Sequence, residues 1–276
     1  MIKADEYYIK NLEKIISSGY FDENPRPHYK DYTPAYSKFI TQVFEEYDIS
    51  KGEFPITTLR NTAIKTGIRE IFWIYQKQSN SLEDAHNMKI KWWDDWNIGD
   101  NTIGMRYGGT IKKWNLMDNL LESLQREPFS RRHIINMYQE DDLKSSDGLY
   151  PCAYETLWSV RKNYDEYYLD LTLIQRSNDY MMAGYINKIQ YVALQMMVAG
   201  HLNYNIGKFC HLTQNLHVYN RHFDAINEIL NKTPLDIQPV IKLNENKNFY
   251  SYNIDDFIIK HTKNITKLKS PLELGI

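Results

Sequence analysis

At 276 residues, 42% hydrophobic and 25% charged, the chain can bury a full core and is ordinary in composition for a globular protein. A net charge of −2, with no basic tail and no block of like charge, excludes a general nucleic-acid or membrane-surface binder, so any phosphate chemistry must rest on a local arginine cluster. Two cysteines, Cys152 and Cys210, supply no disulfide framework, and the N-terminus MIKADEYYIKNLEKII has no apolar signal core; a cytoplasmic protein is expected.

In chain order, a first helix is predicted over residues 4–18, then a Pro-containing loop from Pro25 to Pro34 and a strand near Lys38–Tyr47. Residues 61–78 read as a helix, because Ile64, Ile68, Ile71, Phe72 and Tyr75 share one face. A second helix covers Leu116–Arg126, closed by Glu127-Pro128. Strand patterns follow in RHIINMY (132–138), YETLWSV (154–160) and YYLDLTLIQR (167–176), with NYDE (163–166) as a hairpin turn. Residues 187–201 return to helix, apolar almost all round and therefore central; the longest apolar run there, YVALQMMVAG, is about half a membrane span. KFCHLTQN (208–215) is a strand, and another helix is expected to begin at HVYNRHFDAINEILN. The whole is an α+β chain, a single domain over 1–276 with a largely antiparallel or mixed sheet covered by helices.

Several stretches carry reactive or ligand-binding residue types. YPCAYETLW (150–158) sets Cys152 before a strand, QRSND (175–179) puts Arg176 beside Ser177 and Asp179, and SRRH (130–133) contributes Arg131 and Arg132. WWDDW (92–96) crowds three tryptophans around two acids, and LHVYNRH (216–222) sets His217 two residues from Tyr219. Singly, each has a plain structural alternative: free cysteines are mostly buried hydrophobes, arginine pairs are usually solvated, and tryptophan clusters mostly pack.

In this order and spacing the motifs resemble the thymidylate synthase family. FPITTLR (54–60), REIFWIYQKQSN (69–80) and IGMRYG (103–108) extend the match, which runs from about Arg26 to NFYSYNIDDF (248–257). The YET after the cysteine and the RH after HVYN look like the Bacillus-type branch. The resemblance implies that fold, as a sheet-mediated homodimer without metal, that converts dUMP to dTMP with 5,10-methylenetetrahydrofolate. Cys152 would be the nucleophile; Glu70 and Tyr107 would belong to the proton-transfer network. Arg26, Arg176 and Ser177 would hold the phosphate, with Arg131 and Arg132 reaching in from the partner subunit. Asn187 would pair with the pyrimidine edge, His217 and Tyr219 with the sugar 3′-hydroxyl, and Trp93, Trp96 and Asp179 would surround the folate. Neither DNA nor a membrane is an expected partner. Helical periodicity alone would leave Glu70 in solvent, off the Ile64/Ile68/Tyr75 face.

This chain departs from the family pattern at Ala153, Leu157, Ala183, Tyr185-Ile186, Gln214-Asn215 and the SPLELGI terminus. The changes gather on the base and folate side, so a folate-dependent hydroxymethylase of dUMP or dCMP is the alternative outcome, and a non-catalytic nucleotide-binding relative a further one.

Overall fold

In this computed structural model, which describes residues 1–276, the chain opens with helix α1 (Lys3–Ser18). Ala4, Tyr8, Leu12 and Ile15 recur at helical spacing and are all buried, while Asp5 and Glu6 stand in the first turn, where carboxylates suit the helix dipole. Asp5 is itself buried. It accepts hydrogen bonds of 2.7 Å from the Thr57 hydroxyl and from the Thr58 amide and hydroxyl, which pins FPITTLR against the helix.

Strands β1 (Tyr20–Phe21) and β2 (Ser37–Asp48) flank the proline loop. Helix α2 (Ile64–Ile71) is shorter than its apolar pattern, because Phe72–Gln76 form a π-helical turn. Short helices α3 (Leu82–Asn87) and α4 (Gly108–Lys113), which the periodicity did not mark, precede α5 (Leu116–Arg126), found at its predicted bounds. Strand β3 (Ile134–Asn136) and helix α6 (Glu140–Ser145) lead to the hairpin of β4 (Ala153–Asn163) and β5 (Glu166–Asp179). Helix α7 (Gly184–Leu202), strand β6 (Asn205–Tyr219) and helix α8 (Phe223–Leu230) follow, then a separate hairpin of β7 (Val240–Leu243) and β8 (Phe257–Lys260).

The main sheet runs β1-β2-β6-β5-β4-β3. Only β5 and β6 are parallel, with α7 as their crossover; the other neighbours are antiparallel. Two expectations need correcting. HVY does not open a helix, because Ser37–Thr41 pair with Asn215–Tyr219 and hold β6 extended to Tyr219. The strand predicted over 132–138 pairs with β4 only through Ile134–Asn136.

Helix α7 is buried on nearly every side, as its apolar sequence requires, and it takes Lys188, Gln190 and Gln195 into the core with it. Gly67 lets α2 approach closely: a Cβ there would stand 3.3 Å from the Ile186 side chain. One apolar core of 58 buried residues extends from Ala4 to Phe257, and a small separate cluster of Tyr29, Ala35 and Tyr219 lies outside it. No helix is long and apolar enough to cross a membrane.

Candidate active site

The ends of β5 and β6 bring the quoted motifs together. The register pairs Ala153 with Gln175 across β4 and β5, and Ser177 with Asn215 and Asp179 with His217 across β5 and β6. Cys152 precedes β4, beside a register shift between Ala153 and Glu155. Its carbonyl accepts the Arg176 amide at 2.9 Å. The Arg176 side chain grips the same turn: Nε donates to the Pro151 carbonyl at 3.0 Å and Nη2 to the Tyr150 carbonyl at 2.7 Å, with Nη2 also 3.5 Å from Cys152 Sγ. One guanidinium therefore shapes the loop and faces the thiol.

Burial pushes the Cys152 thiol up, while Arg176 and Arg26, the two cations acting on it, pull it down without overcoming that effect. Proximity to the two cations alone would lower it; the desolvated position reverses the net sign. Cys210 lies elsewhere, on β6 with Sγ 3.9 Å from Glu46, and is pushed up to about 11 by burial and by that carboxylate.

Tyr107 stands before α4 with a strained backbone, φ 46° and ψ −109°, in a region most side chains avoid. Its hydroxyl accepts the Cys152 amide at 3.1 Å. Trp93 packs edge-on against the Tyr107 ring at 5.2 Å and against Trp96 at 5.3 Å, and is buried, while Trp96 is partly exposed. Glu70 is buried too, contrary to the periodicity, because the WWDDW segment covers that side of α2 and the Trp92 indole N–H donates to its carboxylate. Desolvation raises Glu70 to about 7, offset in part by the N–H groups of Trp92, Gln190 and Trp93.

Asn187, in the first turn of α7, is held on both ends of its carboxamide. Oδ1 accepts from Gln175 Nε2 at 3.0 Å and from Asn178 Nδ2 at 3.3 Å, and Nδ2 donates to Gln190 Oε1 at 2.9 Å. Gln175, Asn178 and Gln190 went unassigned in the sequence reading. Their signal was there: Gln175 continues the inward Leu169/Leu171/Leu173 face, and Gln190 interrupts an apolar helix.

Asp179 accepts the amides of Met181 and Met182 at 3.0 and 3.1 Å through Oδ1, which turns the chain toward α7; Oδ2 is buried with no partner. His217 Nδ1 lies 3.2 Å from Asn215 Oδ1, its ring edge-on to Tyr219 at 5.2 Å, and burial pulls it below the usual histidine range. Arg26 and Tyr219 line a cleft of about 300 Å³ with Trp96, Leu149 and Ile276. Ser177 is half-buried on β5. Arg131 and Arg132 are exposed ahead of β3, with no side-chain partner in this chain, and they are not among the cations that act on Cys152. Leu157 faces out of the core, part-exposed between buried Thr156 and Trp158.

The C-terminal SPLELGI is docked beside this cleft. Ile276 and His28 exchange backbone hydrogen bonds of 2.8 and 2.9 Å, and Arg221 clamps Glu273 at 2.5 Å and Asp31 at 2.6 Å. Gly275 passes so close to the Tyr219 ring and Ala35 that a side chain there would collide with both.

The thymidylate synthase family model matches residues 6–273. The thymidylate synthase of Streptococcus pneumoniae (strain 70585) is 48% identical over 263 residues, 93% of this chain and 94% of that one. That of Lactococcus lactis subsp. lactis (strain IL1403) is 46% identical with the same coverage. Thermostable thymidylate synthase A from Bacillus subtilis superposes with a TM-score of 0.90 at 33% identity, covering 99% of both chains. With the Cys152–Arg176 turn, the amide-clamped Asn187 and the His217–Tyr219 pair on a matching fold, the chain belongs to the thymidylate synthase family.

Proposed function

We propose that the chain catalyses the reductive methylation of dUMP to dTMP with 5,10-methylenetetrahydrofolate, using Cys152 as its nucleophile. The observation that carries the assignment is the Arg176 fork, which touches the Cys152 sulfur at 3.5 Å while anchored to the carbonyls of Pro151 and Tyr150. A cation that recognises phosphate and a thiol that attacks a ring are thereby fixed within one nucleotide's reach. The thymidylate synthase relatives support the methyl outcome over hydroxymethylation or nucleotide binding alone.

C5 of uracil becomes nucleophilic only after an addition at C6, and the Cys152 thiolate makes that addition. Arg26, Arg176 and Ser177 hold the phosphate, Asn187 pairs with the pyrimidine edge, and His217 and Tyr219 meet the sugar 3′-hydroxyl. Glu70, raised to about 7, can hold or release a proton at neutral pH, and Tyr107 fixes the Cys152 backbone. When bound, the reduced folate supplies the one-carbon unit and the hydride. Trp93, Trp96 and Asp179 suit it: the buried Asp179 Oδ2 lacks a partner, leaving one acceptor for a ligand beside the tryptophan rings.

The unpartnered Arg131 and Arg132 support a homodimer in which each copy reaches the other's phosphate, with the exposed Phe44, Ile134 and Leu212 of the sheet supplying apolar contact surface. The whole chain acts as one catalytic domain, and its two free cysteines suit the reducing cytoplasm. Trapping with 5-fluoro-dUMP and the folate tests the nucleophile: Cys152→Ser is expected to bind the nucleotide but form no covalent adduct. An adduct in that variant would transfer the role to Cys210.

A further inference from the structure

Behind the Asn187 amide lies a buried charged cluster that the reaction does not use. Lys188, the next residue on α7, sets its ammonium 2.6 Å from Glu45, with both side chains almost wholly excluded from solvent. Glu45 is saturated, accepting also from Asn11 at 3.0 Å, Tyr180 at 3.2 Å and Tyr47 at 2.6 Å. Across the β2–β6 register Glu45 faces His211, whose Nε2 is 2.8 Å from Gln175 Oε1 and 3.2 Å from the Thr213 hydroxyl. Burial and the Lys188 charge, opposed by Glu45, push His211 down to about 3, so the imidazole is neutral and carries a single N–H.

That one proton orders everything downstream. Gln175 Oε1 takes only donors, so the N–H sits on Nε2; the Gln175 amide then has to offer Nε2 to Asn187 Oδ1, as its 3.0 Å contact shows. Asn187 is left with one N–H beyond the one Gln190 accepts, beside an oxygen whose second lone pair is shared only with the longer 3.3 Å contact from Asn178. Acceptor then donor is the order that meets uracil N3–H and O4. Cytosine needs the reverse. Turning Asn187 over would set its N–H groups against those of Gln175 and Asn178, whose Nδ2 also donates to Gln175 Oε1 at 3.0 Å. The amides of Gln175, Asn178 and Gln190 can all turn with it, but Gln175 then sets N–H against the His211 N–H, and that last mismatch is removed only if the imidazole proton moves to Nδ1.

We propose that His211 is a positioning residue that sets the polarity of the Asn187 carboxamide and, through it, the preference for uracil over cytosine nucleotides. The inference rests on the reading above that Asn187 meets the base. Its test is the ratio of dUMP to dCMP dissociation constants, measured by calorimetry on the full-length protein and three variants. His211→Leu is expected to lower the ratio about tenfold or more, and His211→Gln, which keeps an N–H for Gln175, to restore most of it. A change that merely loosened the core would weaken both nucleotides and leave the ratio unmoved. The third variant, Asn187→Ala, separates the two levels of argument. If it leaves the ratio intact, Asn187 does not read the base; if it collapses the ratio while a folded His211→Leu does not, only the role of His211 falls. Nitrogen-15 NMR of the wild-type imidazole decides the matter even if the leucine variant fails to fold. The Nε2–H tautomer is expected, and an Nδ1–H tautomer overturns the proposal.

Discussion

Glu70 holds a proton because the fold denies its charge water, and that has a thermodynamic signature. A carboxyl raised from 4.5 to about 7 favours the folded state fully below pH 4.5, and the benefit is lost as pH rises through 7. Glu70→Gln removes the burden of the buried anion. It is therefore expected to stabilise the protein at pH 8 by on the order of 1–3 kcal/mol and to give no gain at pH 4.5, while slowing turnover by about a hundredfold or more. Urea unfolding at both pH values, at one protein concentration, checks the first part; equal effects at the two pH values would refute it. At this scale the sequence was legible in kind and blind in environment. Cys152, Arg176 and His217 stood out within motifs, but Glu70 lay off the apolar stripe and looked solvated. The Trp92 indole that covers it comes from a separate segment, beyond the reach of a helical period. Tyr107 shows the same limit: a positive φ leaves no mark in residue type unless glycine fills the position.

Elements were recovered where local pattern and packing agree. The β5 alternation of Leu169, Leu171 and Leu173, the all-round apolar α7 and the bounds of α5 follow from periodicity. The end of β6 was not recoverable that way, because HVY is held extended by its pairing with Ser37–Phe39 on one side and, at His217, with Asp179 on the other. Nor was the docked C-terminus. Arg221 and the Ile276–His28 pair hold SPLELGI beside the Arg26 cleft through contacts that no local pattern marks. Arg221→Ala is expected to leave the unfolding midpoint little changed, since its ion pairs are partly solvated, while carboxypeptidase releases Ile276 and Gly275 several-fold faster and the KM for the folate rises. Unchanged digestion would mean that the backbone pairing alone secures the tail. Near the end of the same segment, Gly275→Val is expected to raise KM for both substrates through its collision with Tyr219.

For the whole molecule, the arginines without partners are the informative residues. Arg131 and Arg132 complete nothing in their own chain, so activity is expected to depend on association. Mixing Arg132→Ala with Cys152→Ala chains, each inactive alone, should regain about a quarter of the wild-type rate after random reassociation, since half of the dimers then carry one intact site of two. Full activity from a species that sediments as a monomer would exclude this. The parallel pairing of β5 with β6 and the placement of β2 against β6 have a consequence for synthesis. β2 pairs with residues about 160–180 positions later, which at 5–20 residues per second leave the ribosome roughly ten to thirty seconds after it. Until then β2 has only the two-residue β1 beside it, and Ile40, Val43 and Phe44 travel without the long strand they pair with. Nascent chains stalled before residue 205 should therefore bind chaperones and resist folding, however complete the helices already made.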